Sequence, residues 1–311
     1  MSSAPQSIFS PASPGGAAIS HLFIITLIVC AGVFGVVLTL IVYSLVRCRG
    51  REGDADPEQT AGNKTIEIIW TLGPLAILVF LFILTLRAMA VSDPPLKGTP
   101  DLEVIGHQWW WEVRYEKAGF VTANEIHIPV DKPISIRVDS ADVLHEFWVP
   151  RLARKITAVP RRDNHIWIEA DHPGVYEGAC TEFCGTEHAW MRFQVIAQKP
   201  ADYAAWVKNQ RKPAVKPISG EALQGWRTFN SMTCVACHTI RGTDADGRAG
   251  PDLTHFESRA YFAGRVARNT PENLRRWLKN PQQVKPGVKM PNFKLTHPQI
   301  DQLIAFFETL K

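Results

Sequence analysis

The chain has 311 residues, 46% of them hydrophobic and 21% charged, which suits about two folded domains and excludes global disorder. Its net charge of +4 is too small to indicate binding of nucleic acid. The charge is unevenly distributed. Residues 92–199 carry 12 basic and 16 acidic side chains, a net charge of −4, whereas residues 218–311 carry 13 and 8, a net charge of +5.

Two uncharged apolar runs near the N-terminus predict membrane-spanning helices. They cover residues 22–46 and 68–86, and each is long enough to cross a hydrocarbon core of about 30 Å. The first run is too long for a signal peptide and no basic residue precedes it, so we expect it to be retained. We predict an N-terminal segment over residues 1–20 and a helical hairpin over residues 21–91, with helices at about 22–46 and 67–89.

Basic residues predict how the hairpin is oriented. None occurs in residues 1–46, whereas four occur between the helices: Arg47, Arg49, Arg51 and Lys64. Since basic loops favour the cytoplasm, both termini and everything after residue 92 are predicted on the periplasmic or outer side of a bacterial inner (plasma) membrane. Glu67, at the start of the second run, is either an interfacial charge or a point where protons enter an ion path.

Residues 92–199 are predicted to form an all-β domain. Three segments alternate apolar and polar residues with a period of two, at 134–140, 165–169 and 191–195. Pro, Gly and Asp turns separate them, and no helical period of useful length appears. Short strands in this pattern are typical of a sandwich or a barrel.

The segment from Cys180 to Met191 contains several metal-binding residue types. A mononuclear copper site of the blue type uses one Cys, two His and a weak axial Met, and Cys184, His188 and Met191 lie close together here. His145, from a distant strand, can supply the second imidazole. A disulfide between Cys180 and Cys184 and a structural zinc site are the alternatives.

Cys180 makes a second copper ion plausible. Two thiolates between two coppers form a compact centre that shares one electron, so that little rearrangement accompanies electron transfer. Both sulfurs would then bridge the metals, and His145 and His188 would be terminal ligands. Met191 and the backbone carbonyl of Glu182 would be weak ligands on opposite coppers.

Over residues 21–199 the chain resembles subunit II of cytochrome c oxidase. The pattern Cys-x-Glu-x-Cys-x3-His-x2-Met is similar to the loop that holds the CuA centre in that family. Three further motifs occur in the family's order: Ile66-Glu-Ile-Ile-Trp-Thr71, Gly106-His-Gln-Trp-Trp-Trp111 and Asp142-Val-Leu-His145. The resemblance implies a cupredoxin sandwich with a binuclear CuA centre.

The same resemblance implies roles for three other residues. Trp109 would be the aromatic residue through which electrons reach CuA, although at least one member of the tryptophan run is expected to be a core residue. Glu182 would face a subunit interface, where its carboxylate binds Mg in the family. Glu67 would lie at the mouth of a proton channel.

Some residues of this segment depart from the family or have no role in it. Three departures put the salt bridges beneath CuA in doubt, but not the copper ligands: Trp110, Thr157 and Arg161. Four histidines are expected to be surface or hydrogen-bonded residues: His107, His127, His165 and His172.

Residues 200–217 are predicted to join this domain to another. A short helix is expected over 200–211, and the Pro-rich stretch 212–217 is expected to be an extended, semi-rigid spacer. Residues 218–311 then contain Cys234-Val-Ala-Cys237-His238, the pattern of c-type haem attachment, in which both thiols bond to the haem and the histidine binds iron. A chance CxxC redox pair is the alternative.

Met290 is the expected second axial ligand of the iron. Met232 lies too close to Cys234 to reach the opposite face, and the other three methionines lie outside this segment. A Met/His pair raises the iron potential. His255 and His297 are the rival ligands.

The C-terminal segment is otherwise predicted to be all-α. Helices are expected at 219–229, with Ser219 as the N-cap, at 271–278 and at 297–310. The segment resembles a class I cytochrome c, and Gly250-Pro-Asp-Leu253 and Met290-Pro fit the loops at the haem edge in that family.

Together the segments resemble subunit II of a bacterial haem–copper oxidase with a fused cytochrome c domain. This implies relay of single electrons from a soluble donor such as cytochrome c, through haem c and CuA, to the haem of subunit I, where dioxygen is reduced to water with proton translocation. The implied partners are subunit I, other membrane subunits and the lipid bilayer. The charge difference also predicts that the basic domain docks on the acidic one, in a contact that salt weakens.

Other functions fit parts of the sequence. A CuA subunit of a nitric oxide reductase would differ only in the active-site metal of its partner. A membrane-anchored periplasmic electron carrier would need neither Glu67 nor the motif around it, and a copper-delivery protein would need no haem motif. A quinol oxidase subunit is disfavoured because that relative lacks the copper ligands.

Overall fold

The computed structural model describes residues 7–50, 53, 55, 58–95 and 98–311. The chain divides into two compact units, of which the smaller is Ala17–Pro94 and the larger joins Met1–Gly16 to Pro95–Lys311. The first six residues of the predicted N-terminal segment, and Arg51 of the predicted basic loop, lie outside the described residues.

Two long apolar helices dominate the N-terminal part: α1, Pro14–Arg47, and α2, Lys64–Ser92. Both are long and apolar enough to cross a membrane, which agrees with the two predicted spans. Each helix begins before its uncharged run, where a side chain satisfies the first free amides. Ser13 accepts a hydrogen bond from the amide of Gly16, and Asn63 accepts from the two amides that follow Lys64.

Residues 102–198 form a β-sandwich domain, as predicted. Its strands, in chain order, are β1 Leu102–His107, β2 Trp110–Tyr115, β3 Phe120–Ala123, β4 Glu125–Pro129, β5 Ile134–Ser140, β6 His145–Trp148, β7 Ile156–Ala158, β8 Asn164–Ile168, β9 Gly174–Cys180 and β10 Arg192–Gln198. One sheet has the order β3-β2-β1-β5-β8 and the other has the order β4-β10-β9-β6-β7. The three segments that alternate apolar and polar residues in the sequence correspond to β5, β8 and β10.

Large aromatic side chains fill the space between the sheets. Trp111, Phe147 and Phe193 are fully buried and pack with ring centroids 4.5–5.7 Å apart. Gly178 on β9 lies directly beneath the ring of Phe193, where a side chain would have no room. Trp111 is thus the core member of the tryptophan run.

The connection to the C-terminal domain (residues 218–311) begins with helix α3, Pro200–Gln210. Trp206 of α3 stacks on His127 of the sandwich with ring centroids 3.9 Å apart. The following stretch has no regular secondary structure, as expected, but it does not run free of the domain. The amide of Ala214 donates to the carbonyl of Arg241 at 2.8 Å, so the predicted spacer packs along the C-terminal domain.

The C-terminal domain contains five helices among the described residues: α4 Gly220–Ser231, α5 Cys234–Cys237, α6 Pro271–Lys279, α7 Pro281–Val284 and α8 His297–Phe307. Helices α4 and α8 cross at Gly225. A side chain there would meet the backbone carbonyl of Gln302 and Cβ of Phe306, so glycine permits the close crossing.

Three details of this domain differ from the sequence prediction. Ser219 holds the N-cap position of α4, but its side chain makes no capping hydrogen bond. Helix α8 ends at Phe307 rather than Leu310, although Leu310 remains buried. The domain also contains a small antiparallel pair, β11 Tyr261–Phe262 and β12 Ala267–Arg268, which is too short to show a period.

Candidate metal and haem sites

Two thiols and an imidazole form the centre of the candidate metal site. The sulfur of Cys180 lies 3.8 Å from the sulfur of Cys184 and 3.9 Å from Nδ1 of His145. All three side chains are buried, and their ligand atoms lie within 4.8 Å of one another. Cys180 and Cys184 are free thiols, so the alternative disulfide is not formed.

Three weaker or terminal donors surround this centre. The sulfur of Cys184 lies 3.6 Å from Nδ1 of His188 and 3.8 Å from the thioether sulfur of Met191. The sulfur of Cys180 lies 3.3 Å from the backbone carbonyl oxygen of Glu182. Each thiol therefore has one imidazole beside it, and the carbonyl and the thioether lie next to different sulfurs. A buried thioether in the donor set suits copper better than zinc.

The sheet brings these residues together across a long stretch of sequence. His145 begins β6 and Cys180 ends β9, and the two strands pair antiparallel. The amide of Cys180 donates to the carbonyl of Met191 at 3.0 Å, which closes the loop between β9 and β10. A short 3₁₀ turn over His188–Trp190 directs the second imidazole inward.

Hydrogen bonds set the orientation and protonation of the buried groups. Nε2 of His145 bonds to Asp142 at 2.8 Å, which leaves Nδ1 facing Cys180. Burial alone would lower the pKa of His145, but its bonds to Cys180 and Asp142 raise it overall. The hydrogen bond between the two thiols lowers the pKa of Cys180 well below its usual value and raises that of Cys184. The pair therefore readily presents a thiolate, which is the metal-binding form.

Trp109 directly contacts the loop from Cys180 to Met191, which we call the metal loop. Its indole Nε1 donates to the carbonyl of Cys184 at 3.0 Å, and the side-chain amide of Gln108 donates to the same oxygen at 2.8 Å. Gly185 has a φ of +114°, and a Cβ there would lie 3.1 Å from the Trp109 ring. Glycine thus allows the loop to pass close to the indole.

An ion pair lies beside the loop from Cys180 to Met191, and two of the three positions set apart in the sequence, Trp110 and Arg161, have local explanations. Glu146 accepts hydrogen bonds from Lys155 at 3.0 Å and from Thr181 at 2.7 Å, and this is the ion pair beneath the metal loop. Arg161 has a φ of +64°, in the left-handed region that glycine favours. Trp110 stacks on His107, with ring centroids 4.3 Å apart.

The surface beside the metal loop is exposed. Glu182 is exposed, and Phe183 next to it has 77% of its surface accessible. In the helical unit, Glu67 lies in the first turn of α2, with its carboxylate beside Gly62.

The predicted haem ligands lie in one region of the C-terminal domain. Nδ1 of His238 bonds to the carbonyl of Pro251 at 2.8 Å, which leaves Nε2 free to bind iron. Burial lowers the pKa of His238, so the ring is held neutral, as a metal ligand must be. Gly250 lies against this ring, where a Cβ would come within 2.7 Å of it.

The two cysteines of the attachment motif, Cys234 and Cys237, are free thiols at the ends of α5. Met290 packs against the same apolar core as Cys234 and Val235. The donor set therefore suits a haem with a His/Met iron.

The rival haem ligands fit less well. Both ring nitrogens of His255 face backbone carbonyls, those of Lys311 at 2.7 Å and Lys212 at 3.0 Å. His297 is exposed at the start of α8. Of the remaining histidines, His107 bonds to Glu112 at 3.0 Å and His127 bonds to Gln198 at 2.9 Å, in accord with the expectation for them.

The C-terminal domain contacts the β-sandwich domain through side chains of opposite charge. Among the residues that the structure describes, three such ion pairs join Arg265 to Glu177 at 3.0 Å, Lys289 to Asp142 at 3.7 Å and Lys285 to Glu187 at 3.8 Å. In each pair the base belongs to the C-terminal domain. The charge difference pointed to such a contact, but Lys285 and the β11–β12 pair carry no motif that would have singled them out.

Comparison with known proteins agrees with this arrangement. Three family profiles match: "Cytochrome C oxidase subunit II, transmembrane domain" over residues 3–88, "Cytochrome C oxidase subunit II, periplasmic domain" over residues 119–198 and "Cytochrome c" over residues 222–311. A cytochrome c oxidase subunit 2 from Alkalihalophilus pseudofirmus is 38% identical over 97% of this chain and 90% of its own length. One from Bacillus sp. strain PS3 is 33% identical over 85% of this chain and 80% of its own length.

Among solved structures, the periplasmic domain of subunit II of the cytochrome oxidase of Bradyrhizobium japonicum is 31% identical. It covers 37% of this chain and 96% of its own, with a TM-score of 0.36. The family profiles imply copper in the β-sandwich domain and haem in the C-terminal domain. With similarity extending over almost its whole length, the chain belongs to the cytochrome c oxidase subunit II family, as a membrane-anchored electron-transfer subunit of a haem–copper oxidase that also carries a cytochrome c domain.

Proposed function

We propose that this chain relays single electrons from a soluble donor such as cytochrome c, through a covalent haem c and a binuclear CuA centre, to the haem of subunit I. Dioxygen would be reduced to water there, with proton translocation. The observation that carries the proposal is the paired thiols of Cys180 and Cys184, 3.8 Å apart, each with its own imidazole.

The β-sandwich domain would hold two coppers through these residues. The thiols of Cys180 and Cys184 and the imidazoles of His145 and His188 would be the main residues that hold them, and the thioether of Met191, beside Cys184, would be a weaker ligand. When bound, such a centre spreads the change of one electron over two metals. The chain keeps the site dry, since His145, Cys184 and Met191 are at most 3% exposed, and it fixes the imidazole of His145 through Asp142.

Trp109 would be the route by which electrons reach this centre. Its hydrogen bond to the carbonyl of Cys184 joins the indole to the backbone of a copper ligand. Electrons would leave on the exposed side of the loop, where Glu182 and Phe183 would face subunit I. The carboxylate of Glu182 is the proposed ligand of an interfacial Mg ion, while its carbonyl faces the copper site.

The C-terminal domain would bind its haem covalently. The thiols of Cys234 and Cys237 would each add across a vinyl group of the haem, so that no leaving group is released. Nε2 of His238 and the thioether of Met290 would be the groups that hold the iron. A Met/His iron has the raised potential that suits an acceptor of electrons from a soluble donor.

The hairpin over residues 21–91 would anchor the chain in the lipid bilayer of a bacterial plasma membrane. Its basic loop would face the cytoplasm, and both domains would lie on the periplasmic or outer side. Glu67 would then lie at the cytoplasmic end of α2, where a carboxylate could pass protons towards subunit I.

The decisive test is the electron paramagnetic resonance (EPR) spectrum of the oxidised full-length chain in detergent, loaded with copper and matured with haem. We expect hyperfine structure from one electron shared by two equivalent coppers, beside a low-spin haem signal. The variant Cys180→Ser should change the copper pattern to that of a single ion, because one bridging thiolate is lost.

Cys48→Ser is the matched control, since Cys48 is exposed and lies outside both sites. It should leave both signals unchanged. A single-copper pattern in the unmodified chain would contradict the binuclear centre and favour a simple electron carrier.

A further inference from the structure

Lys285 is a charged side chain buried at the contact between the two domains. It lies in the loop that follows α7 and is only 1% exposed. Its ammonium donates to the backbone carbonyl of Trp109 at 3.0 Å and lies 3.8 Å from the carboxylate of Glu187. Lysine is almost never fully buried unless it is paired, so the position demands a specific role.

The carboxylate opposite Lys285 depends on it. Glu187 is 3% exposed, and its Oε2 accepts no hydrogen bond from the described residues. The ammonium of Lys285 therefore supplies the compensating charge. Removing one partner of a buried pair leaves the other charge uncompensated, which is strongly unfavourable.

The rest of the same loop also touches the metal loop and its surroundings. Gly287 has a φ of +94° and packs against Thr186, where a Cβ would lie 3.0 Å from the threonine methyl group. Lys289 lies 3.7 Å from Asp142 and 5.9 Å from the centre of the Trp109 ring. The next residue is Met290, the proposed axial ligand, so one short loop contacts Trp109 and carries that ligand.

A second contact, formed around β11 and β12, limits rotation about this loop. Arg265 bonds to Glu177 at 3.0 Å, and the amide of Ala260 donates to Glu125 at 3.1 Å. Glu177 is a quarter exposed, so water and salt reach this pair more easily than they reach Lys285.

We propose that Lys285 is a positioning residue that locks the C-terminal domain onto the Trp109 edge of the β-sandwich domain. Its hydrogen bond to the Trp109 carbonyl and its pairing with Glu187 hold the Met290 loop against the residue through which electrons reach copper. This role rests on the proposed relay. Salt screens a buried ion pair only weakly. Docking through Lys285 should therefore depend less on ionic strength than docking through the more exposed pairs Arg265–Glu177 and Lys289–Asp142 alone.

The test is Lys285→Met in the full-length chain within the assembled oxidase, a change that keeps an unbranched apolar side chain of nearly the same length but removes the charge and the donor. Docking is measured by hydrogen exchange in the segments 185–190 and 285–289. Transfer is measured as the rate of haem oxidation by the copper centre over a range of salt concentrations. We expect the ratio of docked to undocked chains to fall about tenfold or more, so that hydrogen exchange rises in both segments. Electron transfer from haem to copper should become slower and strongly dependent on salt.

Lys279→Met is the matched control, because Lys279 is exposed on α6. It should leave exchange and transfer as they are. Unchanged exchange and transfer in Lys285→Met would overturn the proposal. Loss of the copper signal, the haem signal or the near-infrared Met–iron band in that variant would also overturn it, because Lys285 would then support a site rather than the docking. Exchange reports docking whatever the metal content, so a failure of the proposed relay would be seen separately.

Discussion

Ring nitrogens distinguish two candidate metal ligands, His145 and His238, from the rival ligand His255. His145 and His238 each give one nitrogen to an oxygen acceptor and keep the other for a metal. His255 has both nitrogens against carbonyls. The acceptors of His255 are 43 and 56 positions away in the chain, so residue spacing does not reveal them.

Trp109→Phe is expected to slow electron transfer from haem to copper. Phenylalanine keeps an aromatic ring but removes the N–H group that bonds to the Cys184 carbonyl, so the contact between the ring and the ligand backbone is weakened. The rate is measured after rapid reduction of the haem, with the copper EPR signal as the check that the site is intact. Trp110→Phe is the control, since Trp110 stacks on His107 instead. Equal rates in both variants would contradict a role for the Trp109 indole.

Gly178→Ala is expected to destabilise the β-sandwich domain by about 1–3 kcal/mol, the usual cost of overpacking a core. The added methyl group would overlap the ring of Phe193, which is fully buried and stacked on Phe147. Gly174→Ala on the same strand is the control, because its Cβ would lie at an ordinary 3.6 Å from the Tyr176 ring. Denaturant unfolding of the two variants gives the comparison, and equal midpoints would contradict this explanation of Gly178.

At the scale of elements, polar groups on the outer face of the first sheet tie β1 and β2 together. Glu112 on β2 bonds to His107 on β1 at 3.0 Å and also to Arg114. Arg114 in turn reaches Glu103 on β1. Burial alone would raise the pKa of Glu112, but hydrogen bonds from His107 and Arg114 lower it overall.

This network predicts a loss of stability in acid. Because the pKa of Glu112 is lower in the folded chain than in the unfolded chain, its ionised form stabilises the fold above the ordinary value of 4.5. That stabilisation is lost as the pH falls from 4.5 through the lower pKa that Glu112 has in the folded chain. Glu112→Gln should be less stable by about 1.5–3 kcal/mol near neutral pH, the contribution of hydrogen bonds to charged groups, and should lose less stability in acid.

Unfolding followed by tryptophan fluorescence across this pH range measures the difference between the two chains. Glu116→Gln is the control, because Glu116 is exposed on the turn after β2. If Glu112→Gln lost stability in acid as steeply as the unmodified chain, the network would not be the source of the acid sensitivity.

At the scale of the whole molecule, the segregation of charge is matched by the contact between domains. Three bases of the C-terminal domain pair with three acids of the β-sandwich domain. Arg265–Glu177 and Lys289–Asp142, at the rim of the contact, are partly exposed and should weaken with salt, whereas Lys285 is buried. The contact therefore combines electrostatic attraction at its rim with one buried polar anchor.

The orientation of the hairpin can be tested with Cys48, which is exposed beside Arg47 and Arg49. A maleimide that does not cross membranes should label Cys48 in inside-out vesicles and not in intact spheroplasts, because the basic loop is expected to face the cytoplasm. Cys48→Ser should abolish this labelling. Labelling of intact spheroplasts at Cys48 would reverse the proposed topology.

The sequence by itself determined the features that depend on local composition and spacing. Two apolar runs gave the membrane helices, and a period of two gave β5, β8 and β10. The candidate ligands could be named because cysteine, histidine and methionine occur at characteristic short intervals in the loop from Cys180 to Met191 and around His238.

Only the tertiary structure decided features that depend on residues far apart in the chain. It separated Trp111, in the core, from Trp109, which contacts the metal loop, although both belong to one run. It also placed Lys285 against the carbonyl of Trp109, 176 positions away. A lysine in a polar loop is normally a solvated charge, and its burial became evident only when a second domain covered it.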